Sequence, residues 1–315
     1  MSKAKNNSLQ KAMSVQRFKR YIPFYIMLLP GLIYLIVNNY LPMTGLILAF
    51  KKVNFSIGFL KSPWCGLNNF KYLFGSYDAY IMFRNTILYN LAFILLGNLL
   101  GVIVAIALDA LHSKFLKNAS QIVILIPYLL STVIISYIVF AFLSGTNGFM
   151  NKTLFPLLHL NPVSWYSESK YWPIIITIVY LWMTMGYTSI LYYSTLIGID
   201  KSLYEASSVD GAGIWAQIIN VTIPCLKPTI ITLILLGIGR ICYSDFGLFY
   251  QVPMNSGMLY STTQTIDTFV YRGLIELNDI GRSTAGGFLQ SILGFICVLT
   301  ANSIVSKYDK ESSLF

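Results

Sequence analysis

Six long apolar stretches constrain this chain more than any other feature, because each approaches the length that crosses a lipid bilayer. A spanning helix needs about 20 mostly apolar residues. The stretches cover about residues 22–50, 85–111, 121–145, 173–199, 225–250 and 284–306. Polar, turn-rich connectors separate them, and the sequence shows no internal repeat and no separate soluble domain. The pattern predicts an all-α integral membrane protein with six transmembrane helices.

The charged residues are too few for a surface that faces water on all sides. Charged side chains make up 11% of the chain and hydrophobic ones 56%, whereas ordinary globular proteins have about 25% and about 45–50%. Lys, Glu, Arg and Asp normally populate the water-facing surface. The composition therefore excludes a soluble enzyme, and it equally excludes a disordered or fibrous protein.

The placement of Lys and Arg predicts the orientation of the spans. Assigning residues 1–20, 112–120, 200–227 and 307–315 to one side collects twelve cations in about 66 residues, against nine in about 94 residues of the opposite loops. Cytoplasmic segments carry the excess of cations. We predict a multi-pass protein of the cell membrane with cytoplasmic tails at 1–20 and 307–315, and one transmembrane domain over residues 21–306.

The sequence lacks the motifs of nucleic-acid binding, catalysis and metal binding. The net charge of +10 includes six cations in the first twenty residues, directly before an apolar run, and no recognition module follows. No G-x-x-x-x-G-K-[ST], H-E-x-x-H or G-x-S-x-G is present. The four cysteines show no C-x-x-C spacing, and His112 and His159 fall on opposite predicted sides. We predict no metal, no catalytic residue and no nucleic-acid partner.

The connector at about residues 200–224 differs from every other one. Two short helices, about Lys201–Val209 and Ile214–Val221, flank Asp210-Gly211, where glycine allows a left-handed residue. The first helix spaces Leu203, Ala206 and Val209 as one apolar stripe. The second is expected to end before Pro224, which cannot continue a helix interior. The residues alone leave two interpretations open: insertion into a partner's groove, or an amphipathic connector lying on the membrane.

This connector resembles the EAA loop of the permeases of ABC importers. Glu205-Ala206-Ser207, three residues, Gly211, nine residues and Val221-Thr222-Ile223-Pro224 reproduce the spacing of that motif. The departures are Ser207 for Ala, Val221 for Ile and Ile223 for Leu. The resemblance implies the fold of type I ABC importer permeases and a coupling helix that docks in a cleft of a cytoplasmic ATPase. The coupling residues that it implies are Tyr204, Glu205, Ala206, Ser207, Asp210, Gly211, Ala212 and Pro224.

A second resemblance extends over nearly the whole chain, to a polysaccharide permease branch found mostly in Gram-positive bacteria. Its motifs here are Pro30-Gly31-Leu32-Ile33, Tyr40-Leu41-Pro42-Met43-Thr44-Gly45, Trp64-Cys65-Gly66-Leu67-Asn68-Asn69-Phe70, and Asp267-Thr268-Phe269-Val270-Tyr271-Arg272-Gly273-Leu274. The resemblance implies import of complex oligosaccharides by a heterodimer of homologous permeases. It also implies an extracellular substrate-binding lipoprotein and two cytoplasmic ATPase subunits, which use ATP and Mg²⁺ outside this chain.

Arg240 and Asp245 are the deepest ionisable residues, and we place both on the fifth predicted span. Arg240 follows Lys227 by thirteen residues, about 20 Å along a helix. An Arg near the middle of a bilayer should face the bundle interior or a cavity. Two interpretations remain open: an interhelical ion pair that fixes assembly, or a polar and aromatic substrate path that includes Tyr243, Trp182 and Tyr187.

Two other sets of side chains are candidates for the same path. Trp182, Gly186, Ser189 and Tyr193 share one face of the fourth predicted span, where small residues could equally serve close helix packing. In the second predicted span, Asn90 and Asn98 could bond to other helices or to a substrate. The predicted substrate pathway consists of Asn90, Asn98, Trp182, Tyr187, Tyr193, Arg240, Tyr243 and Asp245.

Two alternatives from other functional classes compete with an importer permease. An ion-coupled secondary transporter would need acidic groups within the spans, and only Asp245 is a candidate. A membrane enzyme such as a lipid-linked glycosyltransferase would need an acidic metal-binding pair, which the predicted spans lack. We therefore predict a non-catalytic permease subunit of an ATP-driven importer.

Overall fold

The computed structural model describes residues 21–308, so the predicted tail at 1–20 and residues 309–315 lie outside it. Within the described range the chain is helical, and the one β-contact is an isolated antiparallel bridge between Lys51 and Trp64. We name the helices that organise this range α1 (Tyr21–Phe50), α2 (Asn68–Gly75), α3 (Tyr77–Asp109), α4 (Lys114–Leu129), α5 (Thr132–Leu143), α6 (Trp172–Leu196), α7 (Lys201–Val209), α8 (Ile214–Gly239), α9 (Phe246–Gln251), α10 (Ile266–Ile275) and α11 (Ile280–Tyr308).

The number of spans agrees with the prediction once a bent pair is counted as one. Five helices of the described range are long and apolar enough to cross a membrane: α1, α3, α6, α8 and α11. The helices α4 and α5 are together long and apolar enough to form one further, bent span, which gives up to six spans. The second span begins earlier than predicted, at Tyr77, because Ser76 caps that helix by accepting a hydrogen bond from the Ala79 N–H.

The third predicted span, 121–145, is formed by two helices rather than one. Helix α4 begins at Lys114, and the chain bends by 96° between α4 and α5. Pro127 in the last turn of α4 has no N–H to donate. Leu130 is extended, and Ser131 then starts α5 as its N-cap, accepting from the Ile134 N–H at 3.5 Å.

The fifth predicted span, 225–250, is broken. Helix α8 ends at Gly239, and Arg240 already leaves helical geometry. The chain turns through residues 241–244, and Asp245 caps the short helix α9. Arg240 and Asp245 therefore do not share a helix, contrary to the prediction. Irregular backbone at membrane depth is tolerated where protein buries it or where it lines a cavity.

Pro224 does not end the second helix of the connector, contrary to expectation, because a π-turn precedes it. In a π-turn the N–H bonds to the carbonyl five residues back, as the Ile223 N–H does with Ile218 O. The widened turn lets the proline ring follow without breaking the helix. The same arrangement occurs three times in the described chain, at Ile36–Tyr40 before Pro42, Met150–Leu154 before Pro156, and Ile218–Thr222 before Pro224.

Buried side chains form three clusters that hold the helices together. The largest joins α3, α5, α6 and α9 around Trp172, Ile176 and Phe249, and it adjoins the Phe93–Tyr180 stack, with ring centroids 3.7 Å apart. A second cluster joins the end of α1 to α2, α10 and α11. The third lies where α3 and α6 meet α8, around Tyr192. The third cluster thus fixes α8 between Leu226 and Leu233, while the end of α8 at Gly239 faces α3 and α11.

Helix α1 contrasts with the other spans because its own chain hardly touches it. Residues 21–44 are all exposed, and only the end of the helix packs against the rest, through Ala49 and Phe50. Helix α1 also runs through Pro30-Gly31 without a break.

Candidate functional site

The connector between α6 and α8 forms a compact elbow on the surface. Asp200 caps α7, accepting from the Ser202 N–H at 3.0 Å. This hydrogen bond from Ser202 lowers the pKa of the Asp200 carboxyl, because it favours the charged form. Helix α7 covers Lys201–Val209, the range predicted from the sequence. The elbow thus begins at a well-defined cap.

Gly211 makes the turn of the elbow, which confirms the left-handed residue expected there. Its φ is +79°, a conformation that only glycine adopts at no steric cost. The Gly211 N–H donates to Ser208 O and the Ala212 N–H donates to Ser207 O, which closes the end of α7. No neighbour would obstruct a Cβ on Gly211, so backbone geometry alone requires the glycine.

Side chains on the inner face brace α7 against α8. The hydroxyls of Tyr204 and Thr222 lie 3.0 Å apart, and the Gln217 amide donates to Ser208 Oγ at 2.8 Å. Ser207 Oγ donates to Tyr204 O within α7. Tyr204, one of the predicted coupling residues, therefore holds the elbow together from inside, whereas the hydroxyl of Ser207, another of them, bonds within α7. Thr222 and Gln217 were not predicted, because neither has a distinctive spacing in the sequence.

The outer face of the elbow is apolar and open. Val209, Ile214 and Trp215 are 87%, 76% and 78% exposed, and Glu205 and Ala206 are exposed beside them. The remaining predicted coupling residues on this surface are Asp210, Gly211 and Pro224, all exposed, and Ala212, half-buried. The stripe of Leu203, Ala206 and Val209 points away from the rest of the chain. Apolar side chains that stand free in this way commonly mark an interaction surface.

A polar cavity of 520 Å³ lies at the break between α8 and α9. Its walls include four residues of the predicted substrate pathway: Asn90, Arg240, Tyr243 and Asp245. Arg240, Tyr243 and Asp245 are exposed, and Asn90 is half-buried. The break therefore brings together side chains that the sequence placed on two separate spans.

The backbone of the break is held by amide side chains from neighbouring spans. Asn90 on α3 donates to Ile241 O and to Tyr243 O, each at 2.9 Å. Gln290 on α11 donates to Cys242 O at 2.8 Å. These three carbonyls have no helical partner, so the amides supply the hydrogen bonds that the lost helix would have made.

Asp267 on α10 completes the support of the break, and the sequence analysis did not assign it to any site. Its carboxylate accepts from the Ser244 N–H and the Ser244 hydroxyl at 2.7 Å each, and from Gln290 at 3.1 and 3.2 Å. The residue stands at the start of the Asp267–Leu274 motif. That motif could have drawn attention to Asp267. Its role could not be predicted, however, because its partners Ser244 and Gln290 are distant in sequence.

A smaller cavity of 160 Å³ adjoins the first and contains two more predicted pathway residues, Asn98 and Tyr187. Both cavities share walls formed by Phe93, Tyr180 and Thr184. Asn98 Oδ1 accepts from the Tyr192 hydroxyl at 2.5 Å, which joins α3 to α6, and Tyr187 stacks on Tyr128 with centroids 4.8 Å apart.

The predicted face of α6 mainly serves packing. Gly186 is buried against α4, where a Cβ would collide with the backbone of Ile124, so the helices can approach this closely only because residue 186 is a glycine. Ser189 is fully buried. Trp182 packs against the largest core cluster. Tyr193 lies apart from both cavities, with Lys117 Nζ 5.2 Å from its ring centroid. Of this face, neither Trp182 nor Tyr193 lines a cavity described above.

Within residues 21–308 no cluster of three or more His, Cys, Asp or Glu has a geometry that could hold a metal ion. The arrangement instead combines an apolar elbow at one end of α8 with a polar cavity at its other end. One continuous helix of 26 residues connects the two.

Comparison with known proteins identifies the family. The family described as binding-protein-dependent transport system inner membrane components matches residues 97–308. The chain belongs to this family. It is therefore a non-catalytic permease subunit of a membrane transport system, and the two alternatives of a secondary transporter and a membrane enzyme were wrong. ATP hydrolysis in such systems belongs to separate subunits.

Individual relatives agree with this assignment. The permease is 32% identical to Protein LplB of Bacillus subtilis over 91% of this chain and 89% of LplB. It is 27% identical to the polygalacturonan/rhamnogalacturonan transport system permease protein YteP of the same organism, over 91% and 88%. The lactose transport system permease protein LacF of Rhizobium radiobacter is 27% identical over 60% and 62%.

Solved structures share the fold. A chain of a bacterial ABC transporter that imports the acidic polysaccharide alginate superposes with a TM-score of 0.86 and 28% identity, over 94% of this permease and 99% of that chain. The alginate transporter bound to a periplasmic protein carrying an alginate pentasaccharide gives a TM-score of 0.84 at 28% identity, over 94% and 98%. The predicted all-α importer permease fold is thus confirmed.

Proposed function

We propose that this chain is one of two homologous permease subunits of an ATP-driven importer of oligosaccharides or polysaccharide fragments. One observation carries the proposal: helix α8 connects the exposed elbow to the polar cavity within the spans. An extracellular lipoprotein would deliver the saccharide, and two cytoplasmic ATPase subunits would use ATP and Mg²⁺. The named relatives that transport polygalacturonan, lactose and alginate support a saccharide substrate.

The elbow is the proposed docking site for the ATPase. Its apolar side chains, Val209, Ile214 and Trp215, face outward, while the Tyr204–Thr222 hydrogen bond ties α7 to α8. A movement imposed on α7 would therefore reach the broken end of α8 as a rigid displacement. Because the ATPase would be cytoplasmic, the elbow would lie in the cytoplasm, and six spans would put both termini on the same side, as the cation distribution predicts.

The cavity at the break is the proposed segment of the saccharide path. Sugars need hydrogen-bonding groups and flat apolar faces, and Tyr supplies both. The walls offer the amide oxygen of Asn90, the hydroxyl of Thr184 and the rings of Tyr180 and Tyr243. The adjoining cavity at Asn98 and Tyr187 would extend the path.

Replacing Gly211 with valine tests the coupling role. A β-branched residue is strained at a φ of +79°, by about 1–3 kcal/mol. We expect Gly211→Val to lower saccharide uptake per ATP hydrolysed at least about fivefold, measured in proteoliposomes that contain the complete importer. Gly213→Val is the matched control: Gly213 has a φ of −74° and a ψ of 172°, which valine adopts readily, and space for a Cβ.

The coupling proposal fails if Gly211→Val takes up saccharide at the wild-type rate with normal ATP consumption. Uptake reduced equally in Gly213→Val would show that any added side chain disturbs the elbow. Purification of the importer provides a separate check, since the chain should bring down a nucleotide-hydrolysing protein and a second permease.

A further inference from the structure

Arg240 presents a guanidinium group that residues 21–308 leave unpaired. The residue follows the last turn of α8 and is exposed in the 520 Å³ cavity. Across residues 21–308 its side chain makes no hydrogen bond and no ion pair. An arginine at membrane depth normally pairs with an acidic group or faces a water-filled cavity. Arg240 therefore requires an anion or water from outside this chain.

Several acceptors next to Arg240 already take part in other hydrogen bonds. Asp245 lies in the same cavity, but its Oδ1 accepts from the Leu248 N–H at 3.0 Å as the N-cap of α9. The carbonyls of Ile241 and Tyr243 accept from Asn90. The second oxygen of Asp245 accepts no hydrogen bond in the described chain, yet Asp245 and Arg240 form no ion pair, and the guanidinium is open to the cavity.

Asp267, the other carboxylate at the break, is similarly occupied. Both of its oxygens accept hydrogen bonds, from the N–H and hydroxyl of Ser244 and from the amide of Gln290. The residue is half-buried beneath the turn and does not line the cavity. Within the cavity wall Arg240 is thus the one cation, and Asp245 is the one carboxylate.

We propose that Arg240 binds a carboxylate group of an acidic saccharide, such as a uronate unit, as it passes through the cavity. The inference rests on the proposed saccharide import and specifies its substrate class. The planar guanidinium has paired donors that match the two oxygens of a carboxylate. Asn90, Thr184 and Tyr243 in the same walls would contact the hydroxyls of the sugar ring.

The test compares acidic saccharides with their neutral counterparts on the complete importer in lipid nanodiscs. The probes are galacturonate and mannuronate oligosaccharides of three to five units, and the same oligosaccharides after chemical reduction of their carboxyl groups. We expect the acidic forms to bind the wild-type importer with a Kd at least about tenfold lower than the reduced forms, because charged hydrogen bonds are the stronger ones.

Variants of Arg240 then assign the discrimination to this side chain. We expect Arg240→Gln to weaken binding of the acidic forms by about 10- to 100-fold and to change binding of the reduced forms by less than about twofold. Arg240→Lys, which keeps the charge without the planar fork, should fall between the two. Arg282→Gln, on the exposed start of α11, is the control and should bind like wild type.

Each contrary result has a distinct meaning. Equal binding of acidic and reduced forms, with Arg240→Gln weakening both alike, would overturn the carboxylate site and leave saccharide import standing. Loss of the second permease from Arg240→Gln, with unchanged discrimination by the complexes that remain, would overturn it in favour of an ion pair between subunits. No binding of any probe would overturn both the carboxylate site and the saccharide function.

Discussion

Asn90 shows how one side chain can permit a break in a spanning helix. Its amide has two N–H donors, and both bond to carbonyls of the turn that follows α8, Ile241 O and Tyr243 O. A buried carbonyl without a partner is costly. At the residue scale, the irregular turn that carries Arg240 and Tyr243 depends on an amide from another helix.

Removing this amide should loosen the turn. We expect Asn90→Ala to destabilise the permease by about 1–3 kcal/mol, since two acceptors lose their donor. Thermal unfolding of the purified importer, followed by a fluorescent thiol probe, measures the effect. Asn220→Ala is the control, because Asn220 is exposed and bonds only within its own helix, to Ala216 O. An Asn90→Ala variant as stable as Asn220→Ala would contradict the structural role.

At the scale of elements, the elbow and α8 behave as one unit because few but specific contacts join them. The Tyr204–Thr222 hydroxyl pair and the Gln217–Ser208 bond cross between α7 and α8. Helix α8 then runs without interruption through Pro224, since the π-turn at Ile218–Thr222 accommodates the proline. A displacement of α7 can therefore reach the cavity only if these contacts persist.

A double-mutant cycle tests this brace. Tyr204→Phe and Thr222→Val each remove one hydroxyl of the pair, worth about 1 kcal/mol, and we expect each to reduce saccharide uptake per ATP. The double variant should be no worse than either single one, because both remove the same interaction. Tyr137→Phe, at an exposed site, is the control. Fully additive losses would show that the two hydroxyls act separately.

At the scale of the whole molecule, the permease is incomplete by itself. The most apolar part of α1 is 0% buried, whereas the corresponding parts of the other single-helix spans are 17–28% buried. An apolar helix separated from its own bundle must be covered by lipid or by another subunit. A permease that works in pairs offers the second possibility.

Photocrosslinking along α1 distinguishes lipid from protein. A photoreactive amino acid is introduced singly at each position from Ile26 to Ile33, all of which are exposed. We expect adducts with the second permease that recur every three or four residues, because one face of a helix meets the partner. The absence of adducts at all eight positions would show that lipid alone surrounds α1.

Much of the fold was predictable from the sequence, for physical reasons. The bilayer requires about 20 apolar residues per span, so composition and spacing indicated the all-α membrane class and the approximate spans. The range of α7 and the glycine turn were also predictable. Both depend on local features: the Asp200 cap, the apolar stripe and the positive φ at Gly211.

The tertiary structure alone decided where the spans bend and which side chains meet. The break after Gly239 is stabilised by Asn90, Asp267 and Gln290, which lie on three other helices. Hydropathy did not show this break, because residues 225–250 are apolar on average despite Arg240, Ser244 and Asp245, and the compensating hydrogen bonds come from distant positions. For the same reason the sequence analysis placed Arg240 and Asp245 on one helix. In the structure they stand at the two ends of the turn that lines the cavity, Arg240 after α8 and Asp245 before α9.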